Sequence, residues 1–109
     1  LARLARKLNA HQRDPTRYFT KAAIRRAGFG RRPIFAALIA EIDGHPSGYA
    51  LLMPSYETGW AEFGLYLQDL FVENEQRGRG VGRALIAAAA HEAQRCGGDF
   101  LWTSAKWWN

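Results

Sequence analysis

The stretch Arg77-Gly78-Arg79-Gly80-Val81-Gly82-Arg83 packs three glycines and three arginines into seven positions, between two segments of different periodicity. Before it, residues 60–72 (WAEFGLYLQDLFV) read as a strand rich in aromatic and apolar residues. After it, Gly82, Leu85, Ile86, Ala89, Ala93 and Cys96 recur at helical spacing, with Arg83, His91, Gln94 and Arg95 facing outward. They predict a helix from about Gly78 to Cys96, stopped by Gly97-Gly98, with Cys96 buried at its end. Strand, glycine-rich turn and helix in that order make a demanding junction. The turn needs backbone free of Cβ obstruction, which glycine provides. The first four N–H groups of the helix have no partner within it, and the helix dipole adds positive potential there. Arg77, Arg79 and Arg83 add charge. Together they form a cradle for an anion such as a phosphate or pyrophosphate.

The chain of 109 residues has the length of one domain, and no repeat, linker or composition break divides it. Leu1, Leu4, Ala5 and Leu8 recur at helical spacing opposite Arg3, Arg6 and Lys7, which predicts a short amphipathic helix. Asp14-Pro15 reads as an N-cap followed by the first helical residue, and Gly28 as a stop, so a second helix is expected from about Pro15 to Ala27. Residues 33–56 read as two strands joined at Asp43-Gly44, with His45-Pro46 lengthening the loop. On a regular pleat the next strand puts Phe63, Leu65, Leu67, Asp69 and Phe71 on one face and Glu62, Tyr66, Gln68, Leu70 and Val72 on the other. Asp69 then interrupts an apolar face, and a bulge at this point would re-aim both Gln68 and Asp69. A last strand begins at DFLWTSA. Strands flanked by helices place the chain in the α/β (α+β) class.

Charge is segregated along the chain. Residues 1–32 carry ten basic residues and one acidic, residues 33–76 seven acidic and no basic, and residues 77–109 five basic and two acidic. This predicts separate surfaces for anionic and cationic partners, although a basic helix face can equally be plain solvated surface. The single cysteine, Cys96, excludes an internal disulfide and fits a reducing, cytoplasmic compartment. No apolar run approaches the ~18 residues of a membrane span, and Leu1 to Ala10 does not read as a signal peptide, so no membrane partner is expected. His11, His45 and His91 have no metal-ligand spacing with Cys96, so no metal is expected.

A Walker A loop requires Gly-Lys-Ser/Thr, which this turn lacks, and the dinucleotide fingerprint requires glycine where Arg83 stands. A disordered arginine–glycine RNA segment would repeat, whereas this one occurs once between regular elements. Arg77-Gly78-Arg79-Gly80-Val81-Gly82 fits the Arg/Gln-x-x-Gly-x-Gly/Ala motif of the GNAT superfamily of N-acetyltransferases. It resembles that motif also in its place, after the family's fourth strand and opening its third helix. The block YLQDLFVENEQRGRGVGRAL is similar to YLEDxFVxxxxRGxGIGxxL of the diamine (spermidine/spermine) acetyltransferase branch. PSYETGW resembles that branch's strand connection, and the terminal WWN loosely resembles its WN. The likeness spans roughly residues 15–109 and is most specific in the central block.

The resemblance implies a mixed, mostly antiparallel GNAT-like sheet flanked by helices. It would lack the family's first strand and its C-terminal helix and strands, so that residues 1–109 form a single partial domain. It also implies an N-acetyltransferase that moves acetyl from acetyl-CoA, its cosubstrate, to a primary amine: a polyamine, a small amine or a lysine-like group. Arg77, Gly78, Arg79, Gly80, Val81 and Gly82 would hold the pyrophosphate, helped by Arg83. The backbone of Leu70, Phe71 and Val72 would take the pantetheine arm and stabilise a developing oxyanion, and Asn109 would lie beside that arm. The amine must shed a proton before it attacks, since an alkyl ammonium has a pKa of about 10. Where the branch has Glu for this purpose the chain has Gln68, an amide that takes up no proton near neutral pH. Asp69 keeps the neighbouring acid. Gln68 and Asp69 are therefore the candidate catalytic residues, with Asp69 alternatively a structural hydrogen-bond partner within its strand. Tyr56, Glu57 and Glu62 are candidate substrate-binding residues that would attract a cationic amine.

The family's thiolate-protonating Tyr lies beyond the WN, and Tyr18, Tyr49, Tyr56 and Tyr66 all precede the motif. The last strand is expected to leave an open edge unless further residues or another chain, as in a homodimer, complete it. Two rivals stay open. One is an acyl-CoA-binding member of the fold impaired in catalysis, suggested by Gln68. The other is a small basic nucleic-acid-binding domain, suggested by the net charge of +5 and the arginine-rich start. Trp60, Trp102, Trp107 and Trp108 come without an RNA-recognition pattern, so nucleic acid is not the expected partner.

Overall fold

Leu4, Ala5 and Leu8 recur at helical spacing, and in the computed structural model, which describes residues 1–104, they are the buried stripe of α1 (Ala2–His11). Helix α2 (Lys21–Gly28) is shorter than Asp14-Pro15 predicts. Its N-cap is Thr20, whose hydroxyl accepts the Ala23 amide at 3.2 Å. Residues 15–20 instead run as bends and extended chain that dock Phe19 against Phe35, their rings 6.0 Å apart. Tertiary packing of one aromatic outweighs the weak helix signal of a single proline. Gly28 does close the helix.

Four strands follow: β1 (Ala36–Ile42), β2 (His45–Glu57), β3 (Glu62–Val72) and β4 (Phe100–Thr103), in the spatial order β1-β2-β3-β4. The first three pair antiparallel, and β4 runs parallel to β3 over Gly64–Leu67. That parallel step requires a crossover, which is α3 (Val81–Arg95). The β1–β2 connection is tighter than expected. Asp43 and Gly44, with φ of 52° and 78°, make a two-residue turn, and His45 already pairs with Ile42. Pro46 fits within β2 because a bulge at Ser47 follows it.

The sheet has a helix on each face. Leu65, Leu67, Ala50 and Leu52 pack under Leu85, Ala89 and Ala93 of α3, while Tyr49, Leu51 and Phe71 pack under Leu4, Ala5 and Leu8 of α1. The single alternation expected for β3 does not hold along its length. Leu51 pairs with Asp69 and Leu52 with Leu67, so Gln68 is an extra residue with no opposite number. The bulge flips every later side chain. Leu70 and Val72 join Leu65 and Leu67 on the α3 face, and Asp69 and Phe71 cross to the α1 face. Asp69 therefore does not interrupt the apolar row of Leu65 and Leu67.

Helix α3 begins at Val81, after a 3-10 turn at Asn74–Gln76 and the glycine turn, three residues later than predicted. Ile86 and Cys96 belong to its predicted stripe but are exposed. Cys96 is the C-cap of α3, where its thiol lies beside the Glu92–Arg95 ion pair, just before the chain turns at Gly97 (φ 78°). The expected continuation of the last strand to Trp107, Trp108 and Asn109 lies outside the described residues.

One ion cluster ties α1 to the end of β3. The buried Glu73 donates its amide to the Ser47 carbonyl at 2.8 Å, and its carboxylate accepts Arg3 at 2.6 Å and Lys7 at 2.8 Å. Hydrogen bonds from Lys7, then Arg3, hold the Glu73 carboxyl below the ordinary glutamate range. A depressed carboxylate stabilises the fold above the ordinary range, and that contribution is lost as pH falls through the lowered value. Both cations are half exposed, so Glu73→Gln is expected to cost about 1 kcal/mol at pH 7. Urea unfolding of both proteins checks this: the gap should be present at pH 7 and close on acidification below the ordinary glutamate range.

Candidate functional site

The glycine turn is built from the end of β3 outward. Arg77 folds back on the strand it leaves: its Nε donates to the Val72 carbonyl at 3.0 Å, and its guanidinium carbon lies 5.9 Å from the Phe71 ring centre. Gly78 and Gly80 then take φ of 80° and 81°, and a Cβ at either position would meet no atom within 4 Å. Their absent side chains leave open space above the turn. Gly80 is the N-cap of α3, with no side-chain cap and no acidic residue in the first turn. The Ala84 amide is the one that reaches Gly80 O, at 3.0 Å, so the amides of Val81, Gly82 and Arg83 remain available to a ligand.

A cavity of about 560 Å³ opens over these groups. Leu70, Phe71 and Val72 of β3 line it with Gln76, Arg77, Gly78, Gly80, Val81, Gly82 and Arg83. The structure thus brings together most of the residues expected to hold a cofactor. Arg79 is the exception: it turns aside to donate to Gln76 Oε1 at 2.7 Å, and Asn109 lies outside the described residues. Leu8 and His11 of α1 also line the cavity. Their separation from the turn in sequence hid them, since only the packing of α1 on β3 makes them neighbours.

The pairing of β4 with β3 stops at Leu67, where Thr103 Oγ1 donates to the Leu67 carbonyl at 2.8 Å. Among the described residues, no strand covers the outer edge of β3 from Gln68 to Val72. That edge leads from the glycine turn back to the bulge.

At the bulge lies a second cavity, lined by Gln68, Asp69, Tyr66, Leu51 and Ser104, and by Asn9, Gln12, Asp14 and Phe19. Asp69 is half-buried, and Tyr49, fully buried beneath it, donates its hydroxyl to Asp69 Oδ2 at 2.8 Å. Burial pushes the Asp69 carboxyl up from its ordinary value, the Tyr49 hydrogen bond opposes this, and the charge of Asp14 adds to it. Burial, then the Asp69 charge and hydrogen bond, push the Tyr49 phenol far above its usual range, so Tyr49 remains a donor throughout the working pH range. No local sequence signal marked Tyr49, because its meeting with Asp69 depends on the β2–β3 register, in which Tyr49 faces Phe71, and on the bulge.

Tyr56, Glu57 and Glu62 are not at the bulge. They line a third cavity with Ser55, Trp60, Phe100 and Trp102. Tyr66 of the second cavity and Trp102 of the third form an aromatic pair, with ring centres 4.4 Å apart. Trp102 is fixed by its Nε1 bond to Ser55 Oγ at 3.1 Å, and Tyr66 by its hydroxyl against Ser104 Oγ at 2.7 Å. Among the described residues, no group of three His, Cys, Asp or Glu side chains is placed to hold a metal ion, and no helix is long and apolar enough to cross a membrane.

A strand that ends in a glycine-rich turn, an uncovered strand edge and a parallel crossover frame the site. The chain belongs to the acetyltransferase (GNAT) family, whose pattern it matches over residues 3–107. It is 36% identical over 98 residues to thialysine N-epsilon-acetyltransferase of Bos taurus, a match that covers 83% of this chain and 57% of the bovine one. It is 35% identical over 74 residues to spermidine/spermine N(1)-acetyltransferase-like protein 1 of Homo sapiens, covering 62% of this chain and 10% of the human one. The chain therefore spans little more than half the length of the bovine relative. An aminoglycoside N-acetyltransferase solved in complex with CoA superposes with a TM-score of 0.64 at 26% identity, covering 72% of this chain and 61% of that one. The mixed, mostly antiparallel sheet is the family's fold.

Proposed function

We propose that the protein transfers the acetyl group of acetyl-CoA to a primary amine, polyamine-like or lysine-like, in a cytoplasmic setting, with residues 1–109 acting as one partial acetyltransferase domain. The observation that carries this is the continuity of β3: one end holds the anion cradle, and its bulge presents a half-buried carboxylate. The residues present fit CoA. Positive φ at Gly78 and Gly80, open space at both, and uncapped amides on α3 suit a pyrophosphate, and Arg77 and Arg83 add charge.

Acetyl-CoA supplies an activated acetyl thioester. The chain's own groups bind it, orient the amine and take its proton. The uncovered edge of β3 from Gln68 to Val72 offers backbone donors and acceptors to an extended arm. Asp69, ionised, accepts the ammonium proton. A carboxyl with a raised pKa is the better base near neutral pH. Tyr49 fixes the orientation of that carboxylate from below. Gln68 can orient the amine by hydrogen bonding but cannot take its proton. Glu57 and Glu62, with the faces of Tyr56, Trp60 and Trp102, suit a second positive centre on the acceptor.

Tyr49→Phe removes one hydroxyl and keeps the buried ring. Asp69 then loses a bond to its ionised form, and its pKa rises. The acidic limb of the kcat/KM profile is expected to move up by about one pH unit, which a pH series with the amine well below saturation measures. The function itself is tested by incubating the protein with acetyl-CoA and either spermidine or a lysine analogue, with mass spectrometry of the amine. Acetylated product is expected, and no product from either amine would overturn the proposal.

A further inference from the structure

The acidic and basic residues end up on different surfaces. Asp14, Asp69, Glu57 and Glu62 line the two cavities beside β3. The outside of α1 and α2 carries two adjoining grooves lined by no acid. Arg3, Lys21, Arg25 and Phe29 wall one, Arg6, Arg17, Lys21 and Phe19 the other, and Lys21 belongs to both. Arg3 is committed to Glu73, but Arg6, Arg17, Lys21 and Arg25 have no carboxylate partner among the described residues. Aromatic rings lie among these cations. Phe29 is 78% exposed, and Tyr18, 65% exposed, lies under the Arg17 guanidinium at 4.9 Å. Unpaired like charges repel, and large exposed rings gain nothing from water, so a polyanion that carries flat rings relieves both.

We propose that this α1–α2 surface binds single-stranded nucleic acid, with phosphates on Arg6, Arg17, Lys21 and Arg25 and bases stacked on Tyr18 and Phe29. An acidic peptide would use the cations and leave the rings idle. A bilayer would bury rings that project clear of the cations, whereas Tyr18 lies under the Arg17 guanidinium and Phe29 shares its groove with Arg3, Lys21 and Arg25. Stacking beside arginine is the recognition mode that uses both features, and it tolerates any sequence. The surface is separate from the glycine turn, so the proposal stands apart from the acetyltransferase reading.

The test is fluorescence anisotropy of a labelled oligouridylate, with CoA present at saturation to occupy the glycine turn. Binding is expected, with a slope of log K on log salt of about −3 for four phosphate contacts. Arg6→Gln/Lys21→Gln/Arg25→Gln should reduce that slope to about −1 and the affinity at least ~10-fold at low salt. Phe29→Ala should cost about tenfold with the slope unchanged. CoA binding should survive in both variants, which shows that they fold. No binding in low salt, unchanged binding by the triple variant, or displacement of RNA by CoA would overturn the proposal. So would polyglutamate or phosphatidylserine vesicles competing as well as RNA, which would assign the surface to an acidic protein or a lipid bilayer.

Discussion

Gly80→Asp is expected to raise the Kd for CoA at least ~100-fold while the protein still folds. The position has open space, since a Cβ there meets no protein atom within 4 Å. Its backbone cost is that of an L-residue at φ 81°, roughly 1–2 kcal/mol. The larger effect is electrostatic. A carboxylate on the lip of the cradle faces a ligand phosphate a few ångströms away, and two unit charges 4 Å apart repel by about 4 kcal/mol in a partly solvated site. A loss of ~2.7 kcal/mol is already a hundredfold. Gly80→Ala separates the two contributions, since it carries the backbone cost without the charge. Titration calorimetry should show Gly80→Ala within about tenfold of the parent and Gly80→Asp without measurable heat. If both variants bind alike, the ligand phosphates are not at this turn.

Asp69→Asn is expected to lower kcat by ~10²–10⁴-fold without destabilising the protein at neutral pH. The two halves of that statement rest on the same burial. Because the folded pKa of Asp69 is raised, the folded state favours its protonated form. Ionised Asp69 therefore subtracts stability above the ordinary carboxylate range, and stability returns as pH falls through the raised value. Asn imitates the neutral form and can still accept the Tyr49 hydroxyl. At pH 7 the variant should be at least as stable as the parent, and the gap should vanish in acid. Activity runs the other way, since the base must be ionised, and in the parent it should fall as pH drops through the same range. Paired thermal melts and rate profiles check both. A variant that loses stability and activity together would make Asp69 a structural partner of its strand and not the base.

The glycine-turn half of the candidate site was legible because its elements are consecutive. β3, the glycine turn and α3 follow one another over residues 62–95, and local rules for turns and helix starts determine what they build. The proposed catalytic half, at Gln68 and Asp69, was legible only as a choice. Gln68 and Asp69 stand side by side in any pleat, but which face each takes depends on one extra residue, and the sequence of β3 reads almost equally well with or without it. The bulge decides that Asp69 meets Tyr49 and not Leu65 and Leu67. Helix α2 shows the same dependence at its start, where Phe19 packing on Phe35 moves the N-cap from Asp14 to Thr20. Leu8 and His11 line the cavity over the glycine turn because α1 packs on β2 and β3, an arrangement with no local signal at all.

The proposed function places the CoA pyrophosphate on the backbone amides of the glycine turn. Nitrogen–proton correlation spectra of the labelled protein, recorded as CoA is added, observe those amides directly. The Gly78, Gly80 and Gly82 resonances should shift and saturate with the calorimetric Kd, and Gly44, in the distant β1–β2 turn, should stay in place. Glycine-turn amides that do not move while CoA binds, with shifts concentrated elsewhere, would place the pyrophosphate away from this turn.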